Sequence, residues 1–122
     1  MDSQEVVEQI SVVELKQAMD QGQKPVLLDV REPHELDICR LDYTVHIPLG
    51  ELRFKLDDLE KYKDTPIVIY CRSGRRSNIA AEFMKELGFS KAKNLKGGIL
   101  AWSDEIDSSF QKYWDAKRSA SP

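Results

Sequence analysis

Ile67-Val-Ile-Tyr70 running into Cys71-Arg-Ser-Gly-Arg-Arg76 decides the fold of this chain. The apolar run, rich in β-branched residues, reads as a buried strand. From Ser77 onward the sequence reads as a helix, with Ala80, Phe83, Met84 and Leu87 on one stripe and Gly88 as its stop. A loop from the carboxyl end of a parallel strand to a helix N-terminus gathers backbone N–H groups into one concavity, and the helix dipole adds positive potential there. Cys71 sits in that loop with Arg72, Ser73, Gly74, Arg75 and Arg76. Cations and helix N-termini bring cysteine pKa values to roughly 3.5–7.5 from about 8.5, so the thiol is expected to ionise, with the three arginines reinforcing the effect. Cys71 is read as a thiolate nucleophile. The competing reading, a free cysteine serving as a small buried hydrophobe, is weaker because three cations fall within five residues of it.

Working outward, Val26-Leu-Leu-Asp-Val30 is a second apolar run of strand length, whose polar end should lie near the Cys71 loop. Asp29 and Arg31 therefore support the site, and a structural ion pair holding the loop is the preferred role for them. Upstream, Ser11-Val-Val-Glu14 is a capping box that starts a helix with Val12, Leu15, Ala18 and Met19 on its apolar face and Gly22 as its stop. Pro33 opens a short helix, and His34 falls on its acidic, solvent-facing side. Tyr43 to Ile47 reads as a strand ended by Pro48, and Leu52, Leu56 and Leu59 carry a helical spacing after it. His46, in that strand, is weighed as a base for Cys71 and set aside, because a loop-stabilised thiolate needs none. Ala92 to Leu95 is a last strand, Gly97-Gly98 a tight turn near another backbone, and Ile99, Leu100 and Trp102 belong to a closing helix. Phe110, Tyr113 and Trp114 lie in a polar tail that offers a docked helix for part of its length, with disorder expected over 117–122.

The 122 residues suit one domain, 1–122, with its core over about 8–106 and a partly disordered tail over 107–122. The net charge of −3 argues against nucleic-acid binding. Its distribution is uneven: residues 71–96 hold seven Lys/Arg against Glu82 and Glu86, a local +5 that suits an anionic small substrate or an acidic partner surface. No segment approaches the length of a membrane span or signal core, so a cytoplasmic protein without membrane attachment is expected. Cys39, Cys71, His34 and His46 lack metal-site spacing, and a Cys39–Cys71 disulfide does not suit a reducing compartment. No metal or other cofactor is expected.

Strands alternating with helices imply an α/β sandwich, and here the chain resembles a single-domain rhodanese. Asp29-Val-Arg-Glu32, His46-Ile-Pro48, Cys71-Arg-Ser-Gly-Arg-Arg76 and Gly97-Gly98 with Ala101-Trp102 match that family's motifs in order, from about Ile10 to Trp102. The resemblance implies a five-stranded, mostly parallel sheet with helices on both faces and a Cys71 that carries sulfane sulfur as a persulfide. It also implies that residues 72–76 donate backbone N–H groups to the terminal sulfur. Ile38-Cys-Arg-Leu-Asp-Tyr43 departs from the family's G-H-I-P-G-A. This variant is most similar to rhodanese domains appended to the adenylating enzymes of molybdopterin and thiamine biosynthesis, where Cys39 resembles a packing residue.

Three functions compete. A sulfurtransferase would move sulfur from thiosulfate or a donor persulfide through Cys71 to cyanide or a thiol, working as a monomer. A sulfur-carrier or interaction module would take sulfur from a protein donor and pass it to a protein acceptor. A phosphatase or arsenate reductase needs a C-x5-R loop, whereas here the sixth position after the cysteine is Ser77 and the arginine comes one residue earlier, at Arg76. The shorter loop makes a smaller bowl, suited to one sulfur atom.

Overall fold

Parallel strands need crossovers of a dozen residues or so, and the spacing of the apolar runs supplies them. The computed structural model describes residues 6–110. Strands β1 (Glu8–Ile10), β2 (Val26–Asp29), β3 (Thr44–His46), β4 (Ile67–Tyr70) and β5 (Ala92–Leu95) form one sheet in the order β1-β5-β4-β2-β3, every pairing parallel. All four residues of β4 are buried, and they pair with Val26–Asp29 on one side and Ala92–Asn94 on the other. The direction of travel across the sheet reverses after β3. Right-handed crossovers must then cover both faces.

Two cores result. Helix α3 (Arg75–Glu86) and the 3₁₀ helices Leu49–Phe54 and Leu56–Tyr62 pack Leu52, Leu59, Ala80, Ala81 and Met84 on Leu28, Ile67 and Ile69. On the other face α1 (Val12–Asp20) and α4 (Gly98–Glu105) pack Val12, Leu15, Ile99 and Trp102 on Leu27, Val68 and Tyr70. Alternate residues of β4 thus serve alternate cores, as the two-residue period of a strand requires. Cys39 packs against the second core and Cys71 belongs to the first, both as free thiols.

Local chemistry explains most boundaries. The Ser11 hydroxyl accepts the Glu14 N–H at 3.0 Å and the Glu14 carboxylate accepts the Ser11 N–H at 2.8 Å, closing the capping box of α1. Pro33 is the first residue of α2 (Pro33–Leu36), where its missing N–H costs nothing. Three boundaries differ from the sequence reading. The strand expected from Tyr43 starts at Thr44, because Tyr43 is fully exposed with φ +58°. The leucine-spaced segment after Pro48 forms 3₁₀ turns broken at Lys55, which turn Leu52 and Leu59 into the core. The helix read from Ser77 begins two residues sooner, at Arg75. Val7 and Phe110 also pack against the cores. The expectations for Tyr113, Trp114 and residues 117–122 fall outside the described residues. Among the described residues no helix is long and apolar enough to cross a membrane.

The turn into α4 brings two backbones together. Gly98 has φ +62°, and a Cβ there would collide with the Arg72 carbonyl and lie 2.7 Å from the Cys71 carbonyl oxygen. Those carbonyls accept the N–H groups of Ile99 (2.9 Å, from Cys71) and Leu100 (3.0 Å, from Arg72). The first turn of α4 therefore clamps the start of the cysteine loop. Gly98→Ala is expected to lower unfolding free energy by roughly 2–4 kcal/mol through left-handed backbone strain and overpacking. Urea denaturation measures it, and a loss under about 1 kcal/mol would show that the clamp yields freely.

Candidate active site

Cys71 follows directly on the central strand, at the carboxyl end of the sheet where open parallel sheets bind ligands. Its side chain is 1% exposed and forms the floor of the loop. Gly74 takes φ +101° and serves as N-cap of α3, turning the chain so that the Gly74 N–H donates to Cys71 Sγ at 3.1 Å. Ser77, in the first turn of α3, donates its N–H to the same sulfur at 3.4 Å, and its hydroxyl, also within reach of Asn94, lies 3.4 Å from that sulfur. A side chain at Gly74 would press on Gly97 N and Leu95 O, each 3.3 Å from its Cβ, so β5 and its turn set how tightly the loop closes.

Burial pushes the Cys71 thiol up, but hydrogen bonds from Ser77, Gly74 and Ser73 outweigh it and hold the pKa below that of an ordinary cysteine. The loop N–H groups act as the sequence reading expects, and Ser77 adds to them from the first turn of α3. Arg76 is engaged by Glu35 through two hydrogen bonds of 2.7 and 2.9 Å, while Arg72 and Arg75 are exposed beside the loop with Ser73.

Asp29 and Arg31 form a fully buried pair, Nη2 to Oδ2 at 2.8 Å with Nε 3.0 Å from both carboxylate oxygens. The Arg31 guanidinium also donates to the carbonyls of Glu35 (3.3 Å) and Cys39 (2.6 Å), and the Asp29 carboxylate accepts the Arg31 N–H at 2.9 Å. It thereby shapes both α2 and the variant 38–43 loop. Glu35, positioned on α2 by that lock, reaches Arg76 and so couples the pair to the cysteine loop. The 38–43 loop is held again by the Tyr70 hydroxyl, which accepts the Leu41 N–H at 3.2 Å and lies 3.0 Å from the Thr44 hydroxyl. Burial, with the Asp29 charge second, pushes the Tyr70 phenol up and keeps it a neutral strut. The His46 imidazole donates through Nε2 to the Arg31 carbonyl at 2.7 Å, a structural bond. His34 is exposed on α2. Among the described residues no cluster of His, Cys, Asp and Glu could hold a metal ion.

Sequence reading missed Ser77, Glu35 and Asn94. The sequence places Ser77 at the start of the helix, and only the earlier start of α3, at Arg75, sets it in the first turn under the sulfur. Glu35 carried one signal, its place three residues after Glu32, whose N–H its carboxylate accepts at 2.9 Å. Asn94 carried a different one, a polar residue in a short buried strand.

A parallel α/β sheet with a buried, hydrogen-bonded cysteine on a six-residue loop after its central strand defines a cysteine-loop α/β domain. The comparisons carry this to a family: residues 11–105 match the model of the rhodanese-like domain, and the chain belongs to that family. It is 34% identical over 125 aligned residues to an adenylyltransferase and sulfurtransferase, MOCS3, of Xenopus laevis, the match taking in 87% of this chain and 28% of that one. It is 37% identical to a putative sulfur carrier protein, YrkF, of Bacillus subtilis (83% of this chain, 54% of that one). A putative mitochondrial thiosulfate sulfurtransferase of Schizosaccharomyces pombe is 32% identical, the match covering 87% of each. The crystal structure of a rhodanese-related protein from Thermoplasma volcanium superposes with a TM-score of 0.73 at 33% identity, covering 81% of this chain and 93% of that one. The chain spans little more than a quarter of the length of the MOCS3 relative it matches.

Proposed function

We propose that the protein is a monomeric cytoplasmic sulfurtransferase in which Cys71 carries the transferred sulfur. The observation that carries this reading is the Cys71 sulfur held under N–H and O–H donors from Gly74 and Ser77. The thiolate attacks the outer, sulfane sulfur of thiosulfate; a new S–S bond forms, the old S–S bond breaks, and sulfite leaves with its electron pair. Loop donors stabilise the resulting persulfide anion as an oxyanion hole stabilises oxygen. Cyanide or a thiolate then attacks the terminal sulfur, taking it as thiocyanate or a new persulfide and returning the Cys71 thiolate. Exposed Arg72 and Arg75 beside the loop attract an anionic donor. Two free cysteines suit a reducing compartment.

The test is to mix the protein with thiosulfate, read its intact mass, then add cyanide and assay thiocyanate. Gain of one sulfur followed by its loss to thiocyanate is the expected result. The loading rate should follow the thiolate, present above the Cys71 pKa and lost as pH falls through it, with a midpoint below that of free cysteine. Absence of loading at any pH would overturn the thiosulfate reading. A second reading, a carrier fed by a protein persulfide, draws support from the likeness to a sulfur carrier protein. Loading from a cysteine desulfurase but not from thiosulfate would select it.

A further inference from the structure

The Ser77 hydroxyl has one proton and faces two acceptors. It lies 3.4 Å from Cys71 Sγ and 2.6 Å from Asn94 Oδ1. Beyond it the side chains continue in file. Asn94 Nδ2 donates to Gln9 Oε1 at 2.8 Å, and Gln9 Nε2 donates to Asn78 Oδ1 at 2.8 Å. Gln9 and Asn94 are direct partners across β1 and β5, so both side chains project from the same face of the sheet, under α3. Asn94 is 4% exposed, whereas Gln9 and the end of the file are open to solvent.

Every member of this file can be reversed without moving a heavy-atom position, because a side-chain amide turned over exchanges donor for acceptor and a hydroxyl rotates freely. When Cys71 is a thiol, its S–H donates to Ser77 Oγ, the hydroxyl donates to Asn94, and the amides run outward to Asn78. When Cys71 is an anion, all of these bonds run the other way. Asn78 then donates to Gln9, Gln9 to Asn94, Asn94 to Ser77, and the Ser77 hydroxyl to the sulfur. Each orientation gives the buried Ser77–Asn94 contact one donor and one acceptor, and at exposed Gln9 the outward one adds a long Nε2 contact to the Val7 carbonyl, 3.5 Å, that the inward one gives up to solvent. Among the described residues no buried side-chain nitrogen or oxygen lacks a partner.

We propose that Gln9 and Asn94 are positioning residues whose amides set the direction of the Ser77 hydroxyl and so follow the charge on the Cys71 sulfur. The inference rests on the proposed function only in taking that sulfur as the working atom. A persulfide anion is an acceptor as the thiolate is, so the inward orientation serves the loaded protein too.

Gln9→Glu tests it. Glutamate at this exposed position accepts only, so Asn94 must keep its Nδ2 outward and its Oδ1 toward Ser77, which draws the hydroxyl proton away from sulfur. Thiolate absorbance against pH should show a midpoint raised by about one unit, as loss of one hydrogen bond to a charged group implies. The charged groups around the loop, Arg72, Arg75, the Arg76–Glu35 pair and the Asp29–Arg31 pair, are unchanged, as are Glu8, Lys85 and Lys93 beside β1. A field effect of the new carboxylate would fade in high salt, whereas an orientation effect persists. Gln9→Met removes the outward acceptor and should leave the midpoint where it was or lower. In a Ser77→Ala background, already raised, Gln9→Glu should do nothing more.

The proposal is overturned if Gln9→Glu titrates as the unsubstituted protein does, if its shift vanishes in high salt, if Gln9→Met raises the midpoint equally, or if the shift survives in Ser77→Ala. Thiosulfate loading of the unsubstituted protein is read separately. Its absence would refute the sulfurtransferase reading while the titrations still decide the file of amides.

Discussion

Cys71→Ser is expected to abolish sulfur loading while the protein remains folded. Serine keeps the shape and accepts the same N–H groups from Gly74 and Ser77, but its hydroxyl is not ionised at neutral pH and, among the described residues, no base is hydrogen-bonded to residue 71. His46, the histidine that sequence alone leaves to consider, is spent on the Arg31 carbonyl. Thiocyanate formation should fall by on the order of 10³-fold or more, the scale seen when a covalent nucleophile is removed. Intact mass after thiosulfate treatment should show no added sulfur, and the urea midpoint should stay near that of the parent. Loading that persisted would transfer the nucleophile to Cys39. That thiol packs against the core on the opposite face of the sheet, away from the Gly74 and Ser77 donors.

Arg31→Met should produce the largest loss of stability from a single side chain away from the glycine turns. The substitution leaves the Asp29 carboxylate fully buried with the residue 31 N–H as its one remaining donor in the lock. Breaking one side of a buried pair costs about 3–5 kcal/mol, a large share of the roughly 5–15 kcal/mol that holds a domain together. The Glu35 carbonyl keeps the Ile38 N–H but loses the Arg31 guanidinium, as does the Cys39 carbonyl, so α2 and the 38–43 loop loosen and Arg76 loses a fixed Glu35. The double variant Asp29→Leu/Arg31→Met should recover part of the loss, because it removes the stranded charge. Urea denaturation of the three proteins decides the matter. A single-variant loss under about 1 kcal/mol, or a double variant less stable than Arg31→Met alone, would refute the lock as described.

Much of this molecule was legible because its signals are local. The capping box at Ser11, Pro33 at the start of a helix, the apolar runs of β2 and β4 and the glycine pair at 97–98 each depend on a few neighbouring residues, and each stands where it was read. Cys71 on a strand-to-helix loop is legible in the same way. The leucine spacing after Pro48 indicated a helix but not its kind, because two 3₁₀ turns and one α-helix can bury leucines at similar intervals. The alternation from Tyr43 to Ile47 reads as a strand, but Tyr43 takes a left-handed backbone and the ladder starts at Thr44.

From the sequence alone follow the α/β alternation, the cysteine at a strand end, the cations near it and a family resemblance that the match over 11–105 supports. Tertiary structure alone decided what surrounds the sulfur. Three arginines lie close to the thiol in sequence, yet side-chain directions send Arg76 to Glu35 and bring Ser77 to Cys71. Glu35 lies 41 residues from Arg76, Asn94 lies 17 from Ser77, and Gln9 lies 85 from Asn94. Bonds between such distant residues exist only once the strands are in register, and no period or motif of the chain encodes them.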